Sequence, residues 1–156
     1  MKREHNFMDK AIRHLELSID LFVDNNECSA AILLAGAAEE SFNKYLENNS
    51  KGSSVYNEIK ENLSQSTGLD KKIVHDEANK VINWLKHAEL EKNKFLPTLT
   101  YDEEEEAVQY ITRGMGAYTK VFNKTDKMFE VFFNHVKTTM PELTNIINEI
   151  MADSNR

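Results

Sequence analysis

Ala30-Ala31-Ile32-Leu33-Leu34-Ala35-Gly36-Ala37-Ala38 has no polar face when wound into a helix. A helix that is apolar on every side is normally enclosed by its neighbours, and its many small residues let those neighbours approach closely. The stretch predicts a central helix from about Cys28 to Glu47, around which the rest of the chain is arranged. Upstream, Phe7, Met8, Ala11, Ile12, Leu15, Ile19 and Phe22 fall on one helical face between about Glu4 and Val23. Asp24-Asn25-Asn26 separates the two helices.

Downstream, the run from Asn48 to Ser54 is a loop by composition. A short helix follows, with Val55, Ile59 and Leu63 on one side. From Asp70 to about Leu90 the helical period returns, with Val74, Ala78, Val81, Ile82, Leu85 and Ala88 inward and Trp84 at the edge. Phe95-Leu96-Pro97 ends this region. Thr100 followed by Glu103 reads as a capping box, and the acids from Asp102 to Glu106 suit the positive end of the next helix better than they suit a metal. Ala107, Ile111, Met115, Tyr118, Phe122, Phe129, Phe133 and Val136 then form one stripe. It predicts one very long helix, or two joined near Asn123 to Asp126, with Gly114 and Gly116 marking a close crossing or a kink. Thr139 and Pro141 open a last amphipathic helix, with Leu143, Ile146, Ile147, Ile150 and Met151 inward. No strand is predicted. The expectation is an all-α single domain over residues 1–156, a bundle of five to six helices with its core in about 5–138 and an amphipathic C-terminal helix at about 141–151.

Composition agrees with this and narrows function. With 5 Gly and 2 Pro in 156 residues, the chain is poor in the turn residues that many-stranded sheets need. The net charge of −7, with arginine only at 3, 13, 113 and 156, disfavours a general polyanion binder, RNA included. Cys28 is the only cysteine, so no internal disulfide forms. No apolar run approaches the ~20 residues of a bilayer span, and the cytoplasm is the default location. None of the 5 histidines lies three residues after a Glu or four residues from another histidine, which removes the di-iron and zinc-helix patterns. Gly114-Met115-Gly116 follows no strand and lacks a third glycine, so it is no dinucleotide loop. No metal and no cofactor is expected.

Two places carry chemistry. Glu39 shares a helical face with Ile32, Ala35, Phe42 and Leu46, where a carboxylate must be protonated, hydrogen-bonded or matched to a cation. The bland account is a tie to another helix through Tyr, Lys or Arg, and the functional one is a ligand contact. Asp76, Lys80, Asn83 and His87 recur at spacings of 4, 3 and 4 and stack into a polar stripe that could bind an anion or move a proton. Its bland account is a solvated helix face.

Ala31-Ile32-Leu33-Leu34-Ala35-Gly36-Ala37-Ala38-Glu39-Glu40-Ser41-Phe42-Asn43-Lys44-Tyr45-Leu46 resembles the second helix of HEPN-like bundles, including abortive-infection types. Asn83-Trp84-Leu85-Lys86-His87-Ala88-Glu89 resembles the later helix that carries the superfamily's Arg-x(4–6)-His motif. The resemblance spans roughly residues 5–135. It implies a compact bundle that dimerises and brings two motif copies into one cleft. It also implies metal-independent RNase activity in toxin–antitoxin, phage-defence or RNA-processing systems, or an inactive partner module. Asn83 and His87 match the motif's polar residue and histidine. The Arg expected before Asn83 is Ile82, and at the longest spacing the position is Lys80, which lacks the planar donor fork of Arg. Arg113, on another helix, is a conceivable replacement.

Three functions follow. The first is a non-catalytic HEPN-like module working through protein contacts, as a homodimer. The second is a metal-independent RNase that uses His87 and Asn83, with Lys80, across a dimer cleft. The third is a small-molecule or nucleotide pocket beside Glu39, with Asp76 as a further binding candidate on the polar stripe.

Overall fold

A computed structural model describes residues 4–49, 51–52, 55–91, 94–145 and 147–148. The described part is all-α apart from one short hairpin. Its elements are α1 (Phe7–Asn25), α2 (Cys28–Asn48), α3 (Val55–Thr67), α4 (Lys71–Ala78), α5 (Lys80–His87), β1 (Glu89–Glu91), β2 (Lys94–Phe95), α6 (Glu103–Phe122), α7 (Lys127–Thr139) and a 3-10 turn (Pro141–Leu143). No described helix is long and apolar enough to cross a membrane.

The central position is shared. α2 packs on α1, α5 and α6, and its Ala31, Ile32, Ala35, Phe42 and Leu46 are fully buried. α6 is enclosed still more completely, because every residue from Tyr110 to Thr119 is buried. Its threonines are satisfied within the helix, as Thr112 donates to the Val108 carbonyl and Thr119 to the Met115 carbonyl. Glycines allow the close approach. A Cβ on Gly114 would lie 3.0 Å from Leu15 Cδ1 on α1, and a Cβ on Gly36 would collide with Ile82 Cδ1 on α5. The first of these is the crossing expected at Gly114.

The long stripe is two helices joined at Asn123 to Asp126, one of the two expected arrangements, since Asn123 takes a left-handed conformation (φ 52°) that ends α6 and Asp126 caps α7. Other boundaries differ from the sequence reading, each for a local reason. The 70–90 helix is interrupted at Asn79 (φ −114°, ψ 8°), and the carbonyl before it, Ala78 O, accepts from the Tyr110 hydroxyl at 2.9 Å and from Arg113 Nη1 at 3.1 Å. The Thr100–Glu103 capping box does not form. Asp102 is the cap instead, accepting from the Glu105 N–H at 2.9 Å, with Glu103 to Glu106 in the first turn. A two-stranded hairpin replaces the end of the 70–90 region, pairing Glu89 with Phe95. Trp84 donates to the Leu96 carbonyl there. Phe7 and Leu63, expected inward, are exposed. Of the C-terminal helix, Ile147 is buried, while Ile146, Ile150 and Met151 lie outside the described residues.

Cys28 opens α2 and is buried, with Sγ directed at Asn26 Oδ1. A helix N-terminus normally acidifies a thiol. Here burial, and after it the carboxylates of Glu103 and Glu104, push the thiol above its usual range.

Candidate functional site

The interruption at Asn79 has a consequence for the space beside it. A cavity of about 510 Å³ lies between α2, α3, the α4–α5 joint and α6. α2 contributes Gly36, Glu39, Glu40, Asn43, Lys44 and Glu47, which recur at helical spacing along one side. α3 contributes Tyr56, Asn57 and Lys60. The joint and α5 add His75, Asn79, Ile82, Asn83 and Lys86, and α6 adds Tyr110 and Arg113. Asn43 Oδ1 is buried and has no hydrogen-bond donor among the described residues.

The floor is an ion pair. Arg113 Nε donates to Glu39 Oε1 at 3.1 Å and Nη2 lies 2.9 Å from Glu39 Oε2, a two-pronged arrangement that suits the planar guanidinium. Nη1 donates to the Ala78 carbonyl and Nη2 to Asn79 Oδ1 at 3.2 Å. The guanidinium carbon also lies 4.6 Å from the ring centres of both Tyr56 and Tyr110. Arg113 is 8% exposed and Glu39 4%, so both charges are largely withdrawn from water. Burial opposes the Arg113 charge, but Glu39 and the tyrosine hydroxyls outweigh it and hold the guanidinium above its ordinary range. Burial likewise pushes the Tyr56 and Tyr110 hydroxyls up, against the pull of Arg113. Both phenols are therefore neutral donors at physiological pH.

A hydrogen-bonded chain leads outward from this floor. Arg113 Nη2 donates to Asn79 Oδ1, Asn79 Nδ2 donates to the Tyr56 hydroxyl at 2.8 Å, and that hydroxyl lies 2.7 Å from His75 Nδ1. The Tyr56 and His75 rings meet edge to face with centres 5.5 Å apart. The chain links a buried pair to an exposed imidazole through groups on α6, the joint, α3 and α4.

The sequence-derived candidates are divided by this geometry. Glu39 lies in the floor and is tied to α6 through Arg113, and Asn83 lines the cavity. Asp76 and His87 are exposed and line no part of it. Lys80 also stands outside and lies 3.6 Å from Glu77. The four-residue stripe presumes an unbroken helix, and the joint at Asn79 falls between Asp76 and Lys80. Arg113 does not stand in for the motif arginine beside His87, because its donors are engaged by Glu39, Ala78 and Asn79. Tyr56, His75 and Asn79 were not singled out by sequence. They sit on polar faces with no repeating pattern, and only the folded α3–α4 pair brings them together. Among the described residues no three His, Cys, Asp or Glu side chains are grouped as metal ligands. Comparison with family models, with curated proteins and with solved structures gives no match to this chain.

Proposed function

We propose that the chain is a non-catalytic binding module that holds a small molecule in the cavity above the Glu39–Arg113 pair. The observation that carries this reading is the cavity itself. At about 510 Å³ it falls within the range of small-molecule pockets, and it is lined by polar groups from α2, α3, the α4–α5 joint and α6. The HEPN-like assignment, drawn from residues 31–46 and 83–89, is kept for the inactive branch of that superfamily. A homodimer is part of the proposal, supported by exposed Leu63, Leu69 and Ile73 at the α3–α4 end.

The test is a thermal-shift screen of a small-molecule library against the wild type and Asn83→Trp. Asn83 is exposed at the cavity wall, so the indole is expected to fill the opening without loss of fold. Ligands should raise the melting temperature of the wild type and leave that of the variant unchanged. A library that shifts neither protein refutes the reading. The RNase alternative places His87 and Asn83, with Lys80, in a cleft between two copies of the chain rather than in this cavity. RNA cleavage in EDTA by the wild type, lost in His87→Ala, would favour it over the binding reading.

A further inference from the structure

The hydrogen-bonded chain has a direction fixed by its first member. A guanidinium has no acceptor, so Asn79 must present Oδ1 to Arg113 and is left with Nδ2 toward Tyr56. The Tyr56 oxygen, already accepting from Nδ2, has one proton to give, and His75 Nδ1 lies 2.7 Å away. With that proton directed at Nδ1 rather than at the more distant His75 carbonyl (3.5 Å), Nδ1 is an acceptor and the neutral ring carries its proton on Nε2. The ring nitrogen left for a ligand is therefore a donor, whether the imidazole is neutral or protonated. Asn79 Nδ2 also reaches the His75 carbonyl at 3.1 Å, which holds the amide in this orientation.

The charges around the same cavity point the same way. Lys44, Lys60 and Lys86 come from three different helices to line it, in a chain whose net charge is −7. Glu40 and Glu47 also line it, and the Glu39–Arg113 pair cancels internally. Lys60 Nζ lies over the Tyr56 ring at 5.7 Å. With the Glu39–Arg113 pair cancelled, three lysines face two glutamates, so the lining carries a net charge of +1 beside the imidazole, in a chain of net charge −7.

We infer that the cavity recognises the oxyanion of a small organic molecule, with His75 Nε2 donating to it and Lys44, Lys60 and Lys86 matching its charge. The inference rests on the cavity being a ligand site. Tyr56, Asn79 and Arg113 act as positioning residues, setting the His75 tautomer without touching the ligand. A phosphate monoester and a carboxylate offer the same acceptor chemistry, and the experiment separates them.

Affinities of glucose 6-phosphate, gluconate and glucose would be measured by calorimetry at low and high salt, alongside the library screen above. The two anions are expected to bind at least about tenfold more tightly than glucose, because hydrogen bonds to charged groups are the stronger ones, and to weaken with salt. The ratio between the two anions identifies the preferred headgroup. His75→Leu, at an exposed position, should lose about tenfold for the anions. His75→Gln, whose amide N–H can stand near the position of imidazole Nε2, should recover most of that loss. Lys86→Gln should weaken the anions more than it weakens glucose. Equal binding of all three compounds, or full anion affinity in His75→Leu, overturns the oxyanion assignment and leaves the cavity reading standing. Binding of neutral library members alone does the same. If nothing binds at all, both readings fall together.

Discussion

Glu39→Gln is the sharpest test of the floor of the cavity. The substitution keeps shape and removes one charge, leaving the Arg113 guanidinium buried at 8% exposure beside a carboxamide. Of the three hydrogen bonds that Arg113 makes, the two to Ala78 O and Asn79 Oδ1 survive, as do the contacts with the Tyr56 and Tyr110 rings. At Glu39 a single carbonyl oxygen replaces two, and the new NH₂ group faces an N–H donor. Stranding one partner of a buried pair costs about 3–5 kcal/mol, and the surviving acceptors place this case near the lower end, at about 3 kcal/mol. Urea denaturation followed by circular dichroism reads it directly. With a slope of about 2 kcal/mol/M, the midpoint should fall by about 1.5 M. The double variant Glu39→Leu/Arg113→Met removes the stranded charge along with its partner, so it should lie above Glu39→Gln on the same scale. A loss below about 1 kcal/mol, the value of an exposed pair, would refute the claim that these charges are withdrawn from water.

Two further outcomes are expected. Asp102→Ala should cost about 1 kcal/mol by uncapping α6, whereas Thr100→Ala should stay within about 0.5 kcal/mol; paired urea titrations would show the reverse order if Thr100 were the cap. Burial, and after it Glu105, raise the Glu106 carboxyl above its usual range despite Arg113. A carboxyl raised by folding costs stability above its folded-state titration, and that cost disappears as pH falls below the unfolded value, about 4.3. Glu106→Gln should therefore be more stable than the wild type at neutral pH, with the advantage fading on acidification, and an advantage independent of pH would contradict this.

The helical architecture was legible because hydrophobic period is a local property. α1, α2 and the α6–α7 stripe are written in residues three and four apart, and their positions follow directly. Breaks were less legible. Asn79 looks like any polar residue on a helix, and it interrupts the chain where two donors from α6, Tyr110 and Arg113, claim the carbonyl before it. Nothing near residue 79 in sequence announces those donors. The same holds for the site. Glu39 stood out because a carboxylate on an apolar face needs a partner, and an arginine was among the partners expected. That partner is a residue within a segment buried on all sides, where polar side chains leave no periodic trace. His75 and Tyr56 are 19 residues apart and meet across the α3–α4 turn. His87 drew attention through its spacing from Asn83, yet it lines no part of the cavity that Asn83 lines.

Cys28 makes the site open to optical study. The chain's one thiol is enclosed and held protonated at neutral pH by burial and by the acids that open α6. Maleimides and other soft electrophiles react with accessible thiolate, which this side chain does not offer. The native chain is thus a silent background, and a cysteine placed at exposed Asp76, which lines no part of the cavity, would take up a dye alone. A single fluorophore beside the cavity, with its opening left clear, would then follow occupancy in real time.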